Sequence, residues 1–183
     1  EVAVERPITS VEVITAQPEP VQLKVRSQGT VLPQTEVDLF AEVSGTIIEV
    51  APSFRTGAEF RKGQILLQID PVDYEAVVAA RKADLATARL SLSQEEALAQ
   101  QASQDWEALG QGEASELTLR KPQLKQAQAA VSSAEAQLAQ AERNLERTQI
   151  RAPFDGRILP KSADLGQYIA ASANPIARIY AVD

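Results

Sequence analysis

The sequence predicts an α+β fold in which a small β-sandwich, assembled from two half-motifs, is interrupted by a long antiparallel α-helical coiled-coil hairpin. The ends of the chain carry short β-branched segments punctuated by Gly and Pro, whereas the middle is rich in Ala, Gln, Leu and Glu. The middle also carries two apolar rows at a spacing of seven, the period of a coiled coil. These features divide the chain into an N-terminal extended segment, 1–29, a first half-domain, 30–70, a hairpin, 71–149, and a second half-domain, 150–183.

The composition excludes several classes of function. The chain has 18 basic and 25 acidic residues and a net charge of −7, which disfavours binding to nucleic acid. It has no Cys and no His, which removes thiol chemistry, imidazole catalysis and the common zinc sites. We therefore predict no enzymatic activity, no cofactor and no metal site. No apolar run reaches the roughly 20 residues of a membrane span, and we expect any leader or membrane anchor to precede Glu1.

Short strands are predicted on both sides of the hairpin. Apolar and polar residues alternate over 21–25 and 37–43, which is the pattern of half-buried strands. Comparable segments are 46–50 and 65–69 before the hairpin, and 150–152, 156–159 and 176–182 after it. Strands near the N-terminus would lack partners in this chain, so we expect residues 1–29 to be extended and weakly packed.

The central block predicts two helices that pack along each other. The two seams, each of five heptads, are Val78, Leu85, Leu92, Ala99, Trp106 and Leu117, Leu124, Val131, Leu138, Leu145. Between the seams, Gly110 and Gly112 can break the helix and reverse the chain. Folding back there pairs the two rows in mirror order, with Trp106 opposite Leu117 at the tip.

Capping residues and prolines indicate where the helices begin and end. Asp70 can cap the first helix, and Pro71 suits its first turn. An arm over about 71–109 would be roughly 55 Å long, so the hairpin is predicted to project from the sandwich. Pro122 would lie inside a second helix begun at Ser115, and it therefore predicts a kink near the tip.

The two flanks of the hairpin resemble each other. In the first flank, an apolar strand at 41–47, a glycine turn at 57–64 and a second strand at 67–69 follow one another. In the second flank, the same three features lie at 152–158, 166–169 and 176–179. Glycine permits turns that a Cβ would strain, and the Val, Ile and Leu around it supply the faces of a sandwich. This kinship predicts that two half-motifs form one domain, which holds both helix roots together.

Four motifs resemble a known family: VSGTI at 43–47, KGQIL at 62–66, IDPVDY at 69–74 and IRAPFDGRI at 150–158. In this order, with a mirrored hairpin between them, they resemble the periplasmic adaptor, or membrane fusion (HlyD-like), proteins of tripartite efflux pumps, in the RND-associated branch. The resemblance covers the chain from about residue 21. It implies that the sandwich is a lipoyl-like domain.

The resemblance also implies a function. Such an adaptor catalyses no reaction, associates with other adaptor subunits, and links an inner-membrane transporter, here of the RND class, to a TolC-type outer-membrane channel. It works in the periplasm, associated with the inner membrane through an anchor that is not in this chain. An adaptor of an ABC-type or protein-secretion system is the alternative.

The resemblance assigns partner binding to the hairpin tip, at Asp105, Leu109 and Ser115. Family tips often carry an Arg, a Leu four residues later and a Ser or Thr beyond the turn. Leu109 and Ser115 match, but Asp105 stands in the place of the Arg, and a carboxylate cannot make the bidentate contacts of a guanidinium. As an alternative, Ser115 is only a helix N-cap and Leu109 only the last residue of the seam.

Two functions from other classes fit less well. A lipoyl or biotinyl carrier domain needs an exposed lysine at the turn between its halves, whereas here the hairpin replaces that turn and Lys82, Lys121 and Lys125 lie on helices or at the tip. A cytoplasmic coiled-coil scaffold would explain the heptads but not the repeated half-motifs. The Ala-rich helix flanks suit packing between neighbouring hairpins, although high helix propensity also explains them.

Overall fold

The computed structural model describes residues 8–110 and 112–182. The chain divides into two units between Leu32 and Pro33. In the first unit, residues 8–32 form no helix or strand, and apolar side chains such as Leu23 and Val25 are exposed. The strand predicted over 21–25 is therefore wrong. The first seven residues of the predicted N-terminal segment lie outside the described residues.

In the second unit, four strands precede two helices and four more strands follow, so the helices lie between two strand-rich flanks as the sequence predicts. Its elements are β1 Glu36–Phe40, β2 Gly45–Val50, β3 Glu59–Phe60, β4 Ile65–Ile69, α1 Val72–Leu109, α2 Lys121–Glu146, β5 Gln149–Arg151, β6 Gly156–Lys161, β7 Tyr168–Ile169 and β8 Pro175–Ala181.

The strands form two antiparallel sheets of four. One sheet has the order β1-β8-β6-β3, and the other has the order β5-β4-β2-β7. Each sheet takes two strands from before the hairpin and two from after it, so the two flanks interleave. The predicted α+β fold, a β-sandwich of two half-motifs interrupted by a helical hairpin, is confirmed.

The core of the sandwich draws on both flanks. Ile47 and Ile69 from the first flank, and Ile158 and Ile179 from the second, are almost completely buried in one hydrophobic cluster. Ile179 pairs with Val37 in β1 on one side and with Ile158 in β6 on the other. Burying one such side chain stabilises a fold by about 1.5–3 kcal/mol. The sandwich therefore depends on residues from both sides of the hairpin, which lie between 89 (Ile69 to Ile158) and 132 (Ile47 to Ile179) positions apart.

The two half-motifs make the same turn. Gly63 and Gly166 have φ angles of 78° and 79°, in the left-handed region that favours glycine. Gln64, which follows Gly63, accepts a hydrogen bond through Oε1 from the Arg61 N–H at 3.0 Å. Gln167, which follows Gly166, accepts one in the same way from the Asp164 N–H at 3.1 Å. Each turn then bonds to the other flank, since Gly63 N–H donates to Ala152 O and Gly166 N–H donates to Ile47 O, both at 2.8 Å. The kinship of the flanks thus produces reciprocal hydrogen bonds.

The two helices differ in length. Helix α1 has 38 residues and α2 has 26, which correspond to about 57 and 39 Å at 1.5 Å per residue. At the start of α1, the Val72 N–H donates a hydrogen bond to Asp70 Oδ1 at 3.1 Å, so Asp70 satisfies a free N–H, although the N-cap position is Pro71 and not Asp70 as predicted. In the described part of the chain, neither helix combines the length and apolarity needed to cross a bilayer.

Candidate functional site

The root of the hairpin is fixed to the sandwich by polar contacts. On α1, the Tyr74 hydroxyl donates a hydrogen bond to the backbone O of Ser44 at 2.7 Å. Beyond the end of α2, the buried Thr148 hydroxyl donates to Leu145 O at 2.7 Å and accepts from Gln68 Nε2 at 3.1 Å. Leaving a buried hydroxyl unpaired costs about 1–3 kcal/mol, so these bonds define where the helix ends lie on the sheets.

Along the hairpin shaft, the two helices bury different residue types. The buried residues are Val78 and Leu85 in α1 and Ala127, Ala134 and Ala141 in α2. The half-buried seam residues are Leu92, Ala99 and Trp106 in α1 and Leu124, Val131, Leu138 and Leu145 in α2. The alanine row of α2, three residues on from its leucine row, lies on the same face of the helix and is the more completely buried of the two. Small side chains at such a contact let two helices approach closely.

The connection between the helices begins where α1 ends at Leu109. Gly110 follows with a φ of 63°, the left-handed conformation that commonly ends a helix. The Trp106 indole N–H donates a hydrogen bond to the backbone O of Gly112 at 3.1 Å. The returning chain is thereby attached to the last turns of α1. Gln111, within the predicted turn, lies outside the described residues.

A single helical turn separates the connection from α2. Ser115 Oγ accepts a hydrogen bond from the Thr118 N–H at 3.1 Å, the geometry of an N-cap. Arg120 then adopts a φ of 55° and interrupts the helix before α2 begins at Lys121. Leu117 lies in this turn and is 67% exposed. The structure does not bury it between the helices as its place in the heptad row predicted.

Pro122 lies in the first turn of α2 and not inside a longer helix. The predicted helix start at Ser115 is wrong, and the kink predicted near the tip is instead a break at Arg120. A backbone N–H in the first turn has no acceptor within the helix, so a proline there removes no hydrogen bond. The break therefore avoids the ~3 kcal/mol that a proline inside a helix costs.

An ion pair, which we call the clasp, joins Arg120 at the start of α2 to Glu95 in α1. The guanidinium donates three hydrogen bonds, of 2.8–3.1 Å, to the two carboxylate oxygens. The Arg and Glu side chains are 34% and 26% exposed, so water screens the clasp only in part. Bidentate pairs of this kind have a defined geometry. The clasp therefore holds the start of α2 near Glu95, while α1 continues past that residue for roughly four turns.

The predicted site residues all lie at the tip of the hairpin. Asp105 and Leu109 are exposed and stand one helical turn apart at the end of α1, with Leu109 65% exposed. Ser115 is also exposed, and its hydroxyl lies 2.7 Å from the hydroxyl of Thr118. The structure thus gives Ser115 a capping role and leaves Leu109 outside the buried seam. Partner binding by these three residues stays a prediction.

Sequence reasoning missed the clasp, although a signal for it was present. Arg81 and Glu95 each follow a seam residue by three positions, in the second column of the heptad, where Glu95 is half-buried and Arg81 stays exposed. Charged residues in such a column need partners across the interface. Arg81 donates to Gln137 Oε1 at 3.1 Å, and Glu95 accepts from Arg120.

The acidic side chains of the described residues form no cluster of metal ligands. Within 8–110 and 112–182, no group of three or more potential metal-ligating residues could hold a metal ion. The neighbouring Glu95 and Glu96 differ in environment, because Glu95 lies in the clasp and Glu96 is exposed.

Comparison with protein families explains the two interleaved sheets and the hairpin together. The family model described as the RND MFP (membrane fusion protein), barrel-sandwich hybrid domain, matches residues 35–179, which include both half-motifs and both helices. The chain belongs to the RND membrane fusion protein family. Members of this family of periplasmic adaptors are structural proteins and not enzymes.

Two curated relatives of this membrane fusion protein chain have the same name. Multidrug resistance protein MdtA of Proteus mirabilis is 31% identical over 187 residues, covering 97% of this chain and 43% of the relative. The protein of the same name from Erwinia amylovora is 30% identical over 146 residues, covering 78% of this chain and 35% of the relative. The chain therefore spans about two fifths of the length of these curated relatives.

Solved structures show the same membrane fusion protein fold. MacA from Actinobacillus actinomycetemcomitans aligns with a TM-score of 0.68 at 26% identity, covering 82% of this chain and 50% of that protein. A putative efflux transporter from Bacteroides eggerthii aligns with a TM-score of 0.59 at 25% identity, covering 80% of this chain and 40% of that protein.

Proposed function

We propose that this chain is the hairpin-bearing part of a periplasmic adaptor, which joins an inner-membrane transporter of the RND class to a TolC-type outer-membrane channel. The observation that carries the proposal is a helical hairpin with both roots in one sandwich and an exposed tip at the far end. The names of the curated relatives support multidrug efflux as the process.

The hairpin has the properties of a spacer of defined length. Helix α1 is about 57 Å long, and a continuous seam with α2 stiffens most of it. Tyr74 and Thr148 attach its two roots to the sheets, so the tip and the sandwich move together. A rigid rod of this kind suits a subunit that spans the distance between two membrane proteins.

In this proposal, the tip touches the channel through Asp105 and Leu109, and Ser115 orients the turn beside them. Leu109 supplies apolar contact area because it is already exposed in the free chain. The adaptor resides in the periplasm, anchored at the inner membrane by a part of the protein outside this chain. Neighbouring adaptor subunits pack side by side, which brings several tips to one channel.

The test changes the length of the hairpin without changing its heptad pattern. Deleting 86–92 together with 127–133 from the full-length adaptor removes one heptad from each helix and shortens the hairpin by about 10 Å. We expect the variant to fold and to fail in restoring drug efflux to a strain that lacks the adaptor. Efflux is measured from the minimum inhibitory concentrations of a drug panel and from the accumulation of a fluorescent dye.

The matched control replaces the same two blocks with other heptads of the same arm, which keeps the length. This control should restore efflux, and circular dichroism should show both variants folded. Wild-type efflux by the shortened adaptor would contradict a bridging role.

A further inference from the structure

The tip of the hairpin exposes two large apolar side chains. Leu109 ends α1 and is 65% exposed, and Leu117, in the turn before α2, is 67% exposed. Removing a leucine side chain from water is favourable, and most of this gain is not realised by either residue within the chain. Leu117 has a heptad position in the sequence but is not buried between the helices, so its side chain is available to another surface.

Carboxylates surround these leucines along the chain. Asp105 and Glu107 lie on the last turns of α1, and Glu113 lies in the connection; all three are exposed. Among the described residues, none of the three side chains takes part in a salt bridge or hydrogen bond. Their charge therefore faces solvent.

The basic residues nearest the tip do not offset this charge. Arg120 is held by Glu95 in the clasp, with its hydrogen-bonding groups directed at α1. Lys121 Nζ lies 3.8 Å from Glu116 Oε1. Because both cations lie beside carboxylates of the same chain, the electrostatic potential at the exposed surface of the tip is negative.

We propose, on the basis of the adaptor function above, that the tip recognises a channel whose contact surface has apolar sockets bordered by Lys or Arg side chains. The two leucines fill the sockets and supply affinity, since removing exposed apolar surface from water favours association. Asp105 and Glu113 attract the surrounding cations, which speeds association and rejects acidic partners. An anionic lipid surface would repel the same carboxylates, so the occupant is a protein.

The test compares charge reversal at the tip with the same reversal on the shaft. The tip variant is Asp105→Lys with Glu113→Lys, and the shaft control is Glu96→Lys with Glu142→Lys, which changes the net charge by the same amount. Both are made in the full-length adaptor. The probe is the purified outer-membrane channel whose deletion abolishes the efflux that wild-type adaptor restores.

Binding is measured by surface plasmon resonance at several NaCl concentrations. We expect the tip variant to bind at least tenfold more weakly than wild type, mainly through a slower association rate, and the shaft control to bind within about twofold. We also expect the wild-type association rate to fall as salt rises. Equal binding by the two variants, or binding that salt does not weaken, would overturn the proposal.

A third variant separates this proposal from the adaptor function itself. If Leu109→Ser with Leu117→Ser abolishes binding while the tip reversal does not, the tip docks on the channel but its charge does not select the partner. If the leucine variant binds as wild type does and the shortened hairpin also restores efflux, the adaptor function fails as well. Circular dichroism of each variant excludes unfolding as the cause of a loss.

Discussion

The clasp should stabilise the hairpin more than a similar ion pair on the same two helices. The Glu95–Arg120 side chains are 26% and 34% exposed, whereas those of Glu135 and Arg89 are 50% and 62% exposed. Exposed pairs contribute about 0.2–1 kcal/mol, and hydrogen bonds to charged groups that are partly shielded contribute about 1.5–3 kcal/mol. We expect a coupling energy of about 1–2 kcal/mol for the clasp and below about 0.5 kcal/mol for the exposed pair.

Two double-mutant cycles measure these coupling energies by urea unfolding. One cycle uses Glu95→Gln and Arg120→Gln, and the other uses Glu135→Gln and Arg89→Gln, so that the chemistry of the change is the same in both. Hydrogen exchange should also show faster exchange over 112–119 when the clasp is broken, because the clasp holds the end of that segment against α1. Equal coupling energies in the two cycles would refute the role assigned to partial burial.

Three further predictions concern the sandwich. Gly156→Ala should cost about 3 kcal/mol of unfolding free energy, because its Cβ would lie 2.1 Å from the backbone O of Tyr180. Gly57→Ala should cost only about 1–2 kcal/mol, because Gly57 has a φ of 83° but open space around it. Thermal unfolding compares the two variants, and similar losses of stability would contradict the close approach at Gly156. Thr148→Val should cost about 1–3 kcal/mol in urea unfolding, because it removes both hydrogen bonds of a buried hydroxyl, and a neutral effect would show that the bonds are dispensable. Hydrogen bonds from Arg178 lower the pKa of Asp38 below its usual value, so this carboxylate stabilises the fold above about pH 4, and the contribution is lost as pH falls through the folded-state pKa. The free energy of unfolding should therefore fall more steeply in acid for wild type than for Asp38→Asn, and identical acid profiles would contradict this.

The local patterns of the sequence determined the order and type of most elements. Heptad spacing predicted both helices, because residues at that spacing share one face of a helix whatever surrounds it. Alternation of apolar and polar residues predicted β1, short β-branched segments predicted β2 and β4, and the glycine turns indicated that the two flanks are related. The hairpin, the single domain beneath it and the family resemblance all follow from patterns of this local kind.

Only the tertiary structure decided which surfaces meet. Both the leucine and the alanine rows of α2 have the correct period, and only the packed hairpin shows that the alanines are buried while the leucines stay half-buried. Residues 21–25 have the alternation of a strand, but a strand also needs a neighbour to pair with, and the described residues provide none. The clasp depends on the level at which α2 meets α1, which places Arg120 beside Glu95 although 25 positions separate them. Periodicity is a property of one segment, whereas burial and ion pairing are properties of two segments brought together, and so a single segment's pattern does not contain them.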